Sequence, residues 1–231
     1  MSRARVLDTV DEAVAGIEDG STVLVGGFGF AGMPFDLIDG LIRQGATGLT
    51  IVSNNAGNGD VGLAALLKAG RVRKVVCSFP RQSDSHVFDG LYRAGKIDLE
   101  VVPQGNLAER MRAAGAGIGA FYCPTGVGTP LAEGKETRTI DGRVHVLEYP
   151  IKGDVALIAA HRADALGNLV YRKTARNFGP VMAAAATTTI VQVGAVVPAG
   201  GLDPEAVVTP GIYVDRVVRA EERHYTVQGA R

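Results

Sequence analysis

The sequence predicts an α/β protein with an open, mostly parallel sheet flanked by helices and an antiparallel hairpin in its C-terminal half. Over residues 6–114, short apolar runs alternate with segments whose apolar residues recur at helical spacing. Such alternation implies parallel strands joined by right-handed crossovers. The dipeptide Asp141-Gly142, set between two strand-like segments, predicts the hairpin. The 31 glycines among 231 residues indicate many tight turns and close backbone approaches.

The first half of the chain is predicted element by element. Apolar residues from Val6 to Ile17 recur at helical spacing, and the helix ends by Gly20. Thr22–Val25 is a continuous apolar run bounded by glycines, which is typical of a strand covered on both faces. Pro34 occupies the first position of the next helix, whose apolar stripe runs to Ile42. The following elements are predicted as strand 49–52, helix 61–68, strand 72–79, helix 87–93, strand 97–102 and helix 107–114.

The second half is less regular. Glycine and proline punctuate residues 115–130, which predicts a long loop, and long loops in compact domains are commonly functional. The hairpin strands are predicted at 137–140 and 144–147, and further strands at 155–160, 169–171, 189–193 and 214–218. The uncharged run 177–202 is interrupted by two prolines, and its β-branched section 187–191 is interpreted as a buried strand rather than a transmembrane helix. No linker divides the chain, which predicts one domain over residues 1–231.

Composition excludes several classes of protein. Twenty-four basic and 24 acidic side chains balance, so the clustered positive charge of a nucleic-acid-binding protein is not expected. Acidic residues Asp8, Asp11 and Glu12 are incompatible with a signal-peptide core. Two cysteines are too few for a disulfide framework, and we expect a cytoplasmic protein without membrane association. No metal site is expected, because the four histidines lack ligand spacing (His86, His145, His161 and His224).

A glycine-rich loop follows the first predicted parallel strand. Residues 27–32 match the pattern G-x-G-x-x-G between a strand and a helix, so their backbone amides are candidates to receive a phosphate or another anion. The alternative is a turn that serves only close packing of strand and helix. A dinucleotide site would require a carboxylate at the end of the next strand, but residues 52–55 contain none and the first acidic residue is Asp60. Nicotinamide binding is therefore the weaker hypothesis.

Several long motifs resemble the first (A) subunit of family I CoA-transferases. They are residues 19–34 (DGSTVLVGGFGFAGMP), 53–57, 102–110, 124–129 and 167–177 (GNLVYRKTARN), which occur in the same order over nearly the whole chain. Residues 77–85 (CSFPRQSDS) most resemble the branch of that family directed at 3-oxoadipate. The resemblance implies the open α/β fold of CoA-transferases and transfer of CoA from succinyl-CoA to a 3-oxo acid. Relatives acting on acetoacetate share the other motifs.

The resemblance also implies an incomplete site. Family members act through a glutamate that forms a covalent thioester with CoA, with ping-pong kinetics, and in two-subunit members this glutamate lies in a Glu-Asn-Gly motif of the B subunit. That tripeptide occurs nowhere in this sequence, so no catalytic nucleophile is expected here. The implied partner is the B subunit of a CoA-transferase, in an A1B1 or A2B2 assembly. Coenzyme A is then part of the substrate, and no permanently bound cofactor is expected.

The chain offers candidate residues for support of that chemistry. The glycine loop is the candidate CoA-binding element, with residues Val25, Gly26, Gly27, Phe28, Gly29, Phe30, Ala31 and Gly32. Gln104 matches a family glutamine thought to line the reaction centre, or serves only the N-terminus of its helix. The candidate substrate-binding residues are Asn54, Asn55, Arg81, Gln82 and Ser83. For these the alternatives are loop capping by the asparagines and a solvated arginine with capping serines.

Other charged residues are assigned ordinary structural roles. Glu100 is expected within a strand, Glu109 beside arginines on a helix, and Glu133 and Glu136 on a charged surface loop. The basic cluster Arg172, Lys173 and Arg176 is interpreted as a surface face in preference to a contact with CoA phosphates. Two other functions stay open. One is the A subunit of an enzyme for acetoacetate or another short-chain 3-oxo acid, and the other is a non-catalytic protein that binds CoA or nucleotides.

Overall fold

The computed structural model describes residues 4–220, and its first half is a regular alternation of strands and helices. His224 and both ends of the predicted 1–231 domain lie outside the described residues. The strands are β1 (Arg5–Leu7), β2 (Thr22–Val25), β3 (Leu49–Asn55), β4 (Val72–Phe79) and β5 (Asp98–Val101). The helices are α1 (Val10–Val14), α2 (Phe35–Gln44), α3 (Leu63–Lys68), α4 (His86–Arg93) and α5 (Gln104–Gly115).

The second half of the chain contributes the remaining seven strands of the described residues. They are β6 (Phe121–Cys123), β7 (Thr137–Ile140), β8 (Arg143–Glu148), β9 (Gly153–Asp164), β10 (Leu169–Val170), β11 (Ala186–Val197) and β12 (Arg216–Arg219). Helix α6 (Gly179–Ala185) precedes β11. Within the described residues the main sheet has the order β1-β12-β11-β9-β2-β3-β4-β5, and all these pairs are parallel. Short β10 pairs antiparallel with the end of β9.

The sheet is covered on both faces, as its continuous apolar strands predict. On one face α1 to α4 pack on alternate residues of β2 and β9, such as Val25 and Leu157. On the other face α5 and α6 pack on the intervening residues, such as Leu24 and Ile158. Successive side chains of a strand point to opposite faces of the sheet, so alternate residues of β2 and β9 contact different helix layers.

Two elements differ from the sequence expectations. Val6 and Leu7 do not begin a helix but form β1, because they pair with β12 from the far end of the chain. Helix α1 starts later, where Thr9 Oγ1 accepts the Glu12 amide and the Glu12 carboxylate accepts the Thr9 amide. Residues 179–185 form helix α6, an element that the sequence interpretation does not include. An alanine run with a proline in its first turn favours a helix, and the strand follows only at β11.

The predicted hairpin is confirmed and is part of a larger element. Strands β7 and β8 pair antiparallel around Asp141-Gly142, where both residues have positive φ (49° and 75°). Strand β6 lies within the segment expected to be loop and pairs antiparallel with β8. The result is a three-stranded antiparallel sheet beside α5. Among the described residues, no helix has the length and apolar character needed to cross a bilayer.

Candidate active site

The candidate residues lie at one edge of the main sheet. The glycine loop follows β2, Asn54 is the second-last residue of β3, Ser78 is the second-last residue of β4, and Gln104 follows β5. These four strands are neighbours and parallel, so their carboxyl ends meet at the same edge. That edge is where open α/β sheets bind ligands.

A hydrogen-bonded cluster joins Asn54, Ser78 and Gln104. The Gln104 Nε2 and the Ser78 hydroxyl both donate to Asn54 Oδ1, at 2.7 and 2.8 Å. Ser78 also donates to the Asn54 carbonyl at 3.1 Å. Although Gln104 is the first residue of α5, its side chain does not cap that helix but reaches the neighbouring strand. Asn54 is buried whereas Gln104 is exposed, so the cluster orients an accessible carboxamide at the edge.

The structure separates the two asparagines that are adjacent in the sequence. Asn55 follows Asn54 on an extended strand, so its side chain points to the opposite face of the sheet. There its Oδ1 accepts the Gly57 amide at 2.9 Å and its Nδ2 is buried with no partner among the described residues. Asn54 therefore belongs to the cluster with Gln104, and Asn55 does not.

The glycine loop is a small hairpin with most of its amides engaged. The amides of Phe28 and Ala31 each donate to the other residue's carbonyl, at 3.0 and 3.2 Å. The Gly26 amide donates to the Leu157 carbonyl at 3.0 Å, and the Gly27 amide donates to Asn177 Oδ1 at 3.1 Å. Among the amides of residues 26–32 that the sequence suggests as ligand donors, these four already donate within the chain.

Two features of the loop remain open to a ligand. The Gly29 amide makes no hydrogen bond within residues 4–220, and Gly29 has φ 60° with no heavy atom near the position of an added Cβ. Phe28 is 52% exposed at the tip. An exposed ring and an unpaired amide side by side suit contact with a partly apolar ligand that carries an oxygen acceptor.

Sequence reasoning missed that this loop has a twin. Residues 57–62 repeat the pattern G-x-G-x-x-G after β3, and Asn58 and Val61 form the same bridge as Phe28 and Ala31. All three glycines of each loop have positive φ, and the middle ones nearly coincide, with 60° at Gly29 and 62° at Gly59. The repeated glycine spacing is visible in the sequence and is the signal that reveals the twin loop.

The predicted carboxylate-binding residues lie on the loop after β4. Arg81 is exposed and its Nε is 2.7 Å from Asp89 Oδ1 of α4, so its guanidinium already has an acidic partner. Ser83 is exposed and Gln82 is half-buried on the same loop. The structure does not place these three residues in the cluster with Gln104. The side chain of Ser85 makes no capping bond to α4.

A pocket of about 400 Å³ adjoins the glycine loop. Its walls include the second half of the loop, residues 159–161 of β9, residues 192–194 of β11, and residues 172–175. His161, Arg172 and Lys173 line it, which places two residues of the predicted surface cluster at the margin of a cavity. Lys173 has φ 51°, an unusual conformation for a residue with a side chain.

Three of the chain's glutamates have structural partners, and for Glu100 and Glu109 such a role is expected. Glu109 forms an ion pair with Arg112 one turn along α5. Burial acts to raise the pKa of Glu100, but hydrogen bonds and charges from Lys74 and Arg110 outweigh it and the pKa lies below its usual value. Glu148, buried on β8, accepts from Lys135 Nζ at 2.7 Å and from Asn106 Nδ2 at 3.1 Å. Asn106 lies on α5, so this contact ties the helix that begins at Gln104 to the small sheet.

No group of three or more potential metal-ligating side chains occurs within residues 4–220. Among the described residues, the edge offers two hydrogen-bond donors, the Gln104 carboxamide and the Gly29 amide. Such donors can stabilise developing negative charge on a carbonyl oxygen, but they cannot begin a covalent reaction. Donors of this kind suit the stabilising part of an acyl-transfer site.

The comparisons agree with this class of protein. The family model described as Coenzyme A transferase matches residues 7–220, and the chain belongs to that family. It is 70% identical to the A subunit of the 3-oxoadipate CoA-transferase of Pseudomonas putida, over 93% of each chain. It is 51% identical to the A subunit of the succinyl-CoA:3-ketoacid coenzyme A transferase of Xanthomonas campestris pv. campestris (strain B100), over 89% of this chain and 85% of that one.

A solved structure has the same fold. An acyl-CoA transferase of Escherichia coli O157:H7, crystallised as a thioester complex with CoA, matches with a TM-score of 0.83 and 26% identity. The match covers 99% of this chain and 52% of the other, so this chain spans about half the length of that protein. The predicted fold class, with a mostly parallel sheet and an antiparallel element, is confirmed.

Proposed function

We propose that this chain is the A subunit of a 3-oxoadipate CoA-transferase that moves CoA from succinyl-CoA to 3-oxoadipate. The observation that carries the proposal is the difference in identity between relatives. Identity is 70% to a chain named for 3-oxoadipate and 51% to one named for 3-ketoacids in general, over similar shares of the chain. The named activity of both relatives is CoA transfer, and both names denote the A subunit of a larger enzyme.

The proposed mechanism takes its nucleophile from the B subunit. A glutamate carboxylate of that partner attacks the succinyl-CoA carbonyl and expels CoA thiolate, which leaves a mixed anhydride. The thiolate then attacks the glutamyl carbonyl, releases succinate and forms a glutamyl-CoA thioester. The carboxylate of 3-oxoadipate reverses the sequence, so the kinetics are ping-pong. Support comes from the absent Glu-Asn-Gly motif in this chain and from the relative crystallised as a thioester complex with CoA.

This chain would supply positioning and electrostatic stabilisation. Gln104, oriented by Asn54, and the open Gly29 amide are the proposed donors to carbonyl oxygens that gain charge. The pocket beside the loop, with Arg172 and Lys173 at its margin, suits a ligand that bears anionic groups. Arg81 remains a proposed contact of the distal carboxylate, which would have to compete with Asp89.

The proposal includes the assembly and its surroundings. The partner is one B subunit per chain, in A1B1 or A2B2, and CoA enters as substrate without a permanently bound cofactor. Neither nucleic acid nor membrane takes part. A cytoplasmic location is proposed because Cys77 and Cys123 are both free thiols, which fits a reducing compartment.

Reconstitution tests the proposal. The purified chain is assayed alone and with the B subunit encoded in the same genome, using succinyl-CoA with 3-oxoadipate and with acetoacetate. We expect no transfer by the chain alone, transfer by the pair, and the higher kcat/KM with 3-oxoadipate. Full activity of the chain alone contradicts the shared site. A preference for acetoacetate supports the short-chain alternative, and CoA binding without transfer by the pair supports a non-catalytic protein.

A further inference from the structure

The twin loops, residues 27–32 (first) and 57–62 (second), have a similar backbone shape but are held by different hydrogen bonds. In the second loop the Gly57 amide is accepted by Asn55 Oδ1 at 2.9 Å, from two residues earlier in the chain. The equivalent position before the first loop is Val25, which has no acceptor in its side chain. The equivalent Gly27 amide is accepted instead by Asn177 Oδ1 at 3.1 Å, from 150 residues away. The first loop therefore depends on a distant segment for a bond that the second makes locally.

Asn177 makes more than this one contact. Its Oδ1 also accepts the Phe178 amide at 2.8 Å, and its Nδ2 donates to the Ala31 and Thr174 carbonyls, both at 2.9 Å. One carboxamide thus spans the loop from Gly27 to Ala31 and ties it to the turn before α6. All four contacts are with backbone groups, so they determine the path of the chain.

The loops also differ in the amide of their middle glycine. The Gly59 amide donates to the Asp84 carbonyl at 2.7 Å, which closes the second loop. The Gly29 amide has no such partner among the described residues. Of two loops with the same shape, only the first leaves this donor available to a ligand.

The segment that carries Asn177 packs directly against the first loop. A Cβ built on Gly32 would lie 2.3 Å from the Ala175 carbonyl oxygen, so the two backbones are in close contact. The same turn holds Lys173 at φ 51°, and a conformation of this kind persists only where its surroundings enforce it. The turn is therefore a defined support for the glycine loop.

We propose that Asn177 is a positioning residue, which holds the glycine loop in the conformation that presents the Gly29 amide to the reacting thioester. The proposal rests on the proposed function for its substrate. It assigns to Asn177 no contact with the substrate. It follows that loss of the Asn177 carboxamide weakens stabilisation of the transition state, whereas binding of the remote parts of CoA is retained.

The test compares two asparagines in the complex with the B subunit. Asn168 is also half-buried, and its Oδ1 accepts the Gly211 amide at 2.9 Å while its Nδ2 donates to Asp164, away from the loop. We expect Asn177→Ala to lower kcat on the order of 100-fold with a small change in KM. We expect Asn168→Ala to keep the kcat of the wild type, although its midpoint of urea unfolding is similar to that of Asn177→Ala. Asn177→Asp is expected to be no better than Asn177→Ala, because its second oxygen faces two carbonyls.

Hydrogen exchange of the loop amides is the second measurement. Exchange at residues 27–31 should accelerate in Asn177→Ala and stay unchanged in Asn168→Ala. Wild-type kcat in Asn177→Ala, or an equal loss in Asn168→Ala, overturns the proposal. If the wild-type pair transfers no CoA, the proposed function fails instead, and unchanged exchange in Asn177→Ala then overturns the support role by itself.

Discussion

Alanine substitutions at two glycines of the same loop separate backbone strain from steric contact. Gly29 and Gly32 both have positive φ, at 60° and 71°. A left-handed conformation costs a residue with a Cβ about 1–2 kcal/mol. At Gly29 nothing lies within 4 Å of an added Cβ, so Gly29→Ala should cost only this amount.

Gly32→Ala should cost more, because its Cβ would meet a fixed backbone. That Cβ would lie 2.3 Å from the Ala175 carbonyl oxygen and 2.9 Å from Asn177 Nδ2. Overpacking adds about 1–3 kcal/mol to the strain, so the total loss is about 2–5 kcal/mol.

Urea unfolding followed by circular dichroism measures both variants against the wild type at a common slope. Equal losses for the two variants would refute the close packing of the loop against residues 175–177. A smaller loss of unfolding free energy in Gly32→Ala than in Gly29→Ala would contradict that packing even more strongly.

The remaining predictions concern the charged side chains. Lys135 and Lys74 each lie within 2.7 Å of a glutamate, but Glu148 is 3% exposed and Glu100 is 38% exposed. Lys135→Met should therefore lower the free energy of unfolding by about 1.5–3 kcal/mol, and Lys74→Met by less than about 1 kcal/mol, as measured by urea unfolding. Equal effects would show that burial of the carboxylate does not decide the strength of the pair. The pKa of Glu100 is lowered in the folded chain, so its stabilising contribution is complete above its unfolded pKa and is lost as the pH falls through the folded value. Glu100→Gln should accordingly flatten the acid-side decline of the free energy of unfolding, and an unchanged slope would count against the Lys74 and Arg110 contacts.

Several expectations based on local pattern agree with the structure, whereas a pattern can mislead where distant contacts decide the conformation. The apolar run Thr22–Val25 is strand β2 and the Asp141-Gly142 hairpin forms, because each depends on neighbouring residues. The spacing of Val6 and Leu7 suits a helix, whereas pairing with β12 makes them a strand. A parallel pair between the two ends of a chain leaves no local signal.

The same division holds within the site. The glycine loop, Asn54 and Gln104 are candidates because each lies at or after the end of a predicted parallel strand. The structure brings all three to one edge of the main sheet. The bond from Gln104 to Asn54 and the opposite orientation of Asn55 follow from strand register and side-chain direction, which the motifs do not specify.

By itself the sequence determined the α/β class, the family resemblance and the absence of a Glu-Asn-Gly tripeptide, because these depend on residue order and spacing. Only the tertiary structure decided which loop amides are available and which are used. The amides of Gly29 and Gly59 belong to loops of one pattern, yet one is open and the other is closed by Asp84. The hydrogen-bond acceptors that make this difference come from other segments, and they reach the loops only when the sheet is assembled.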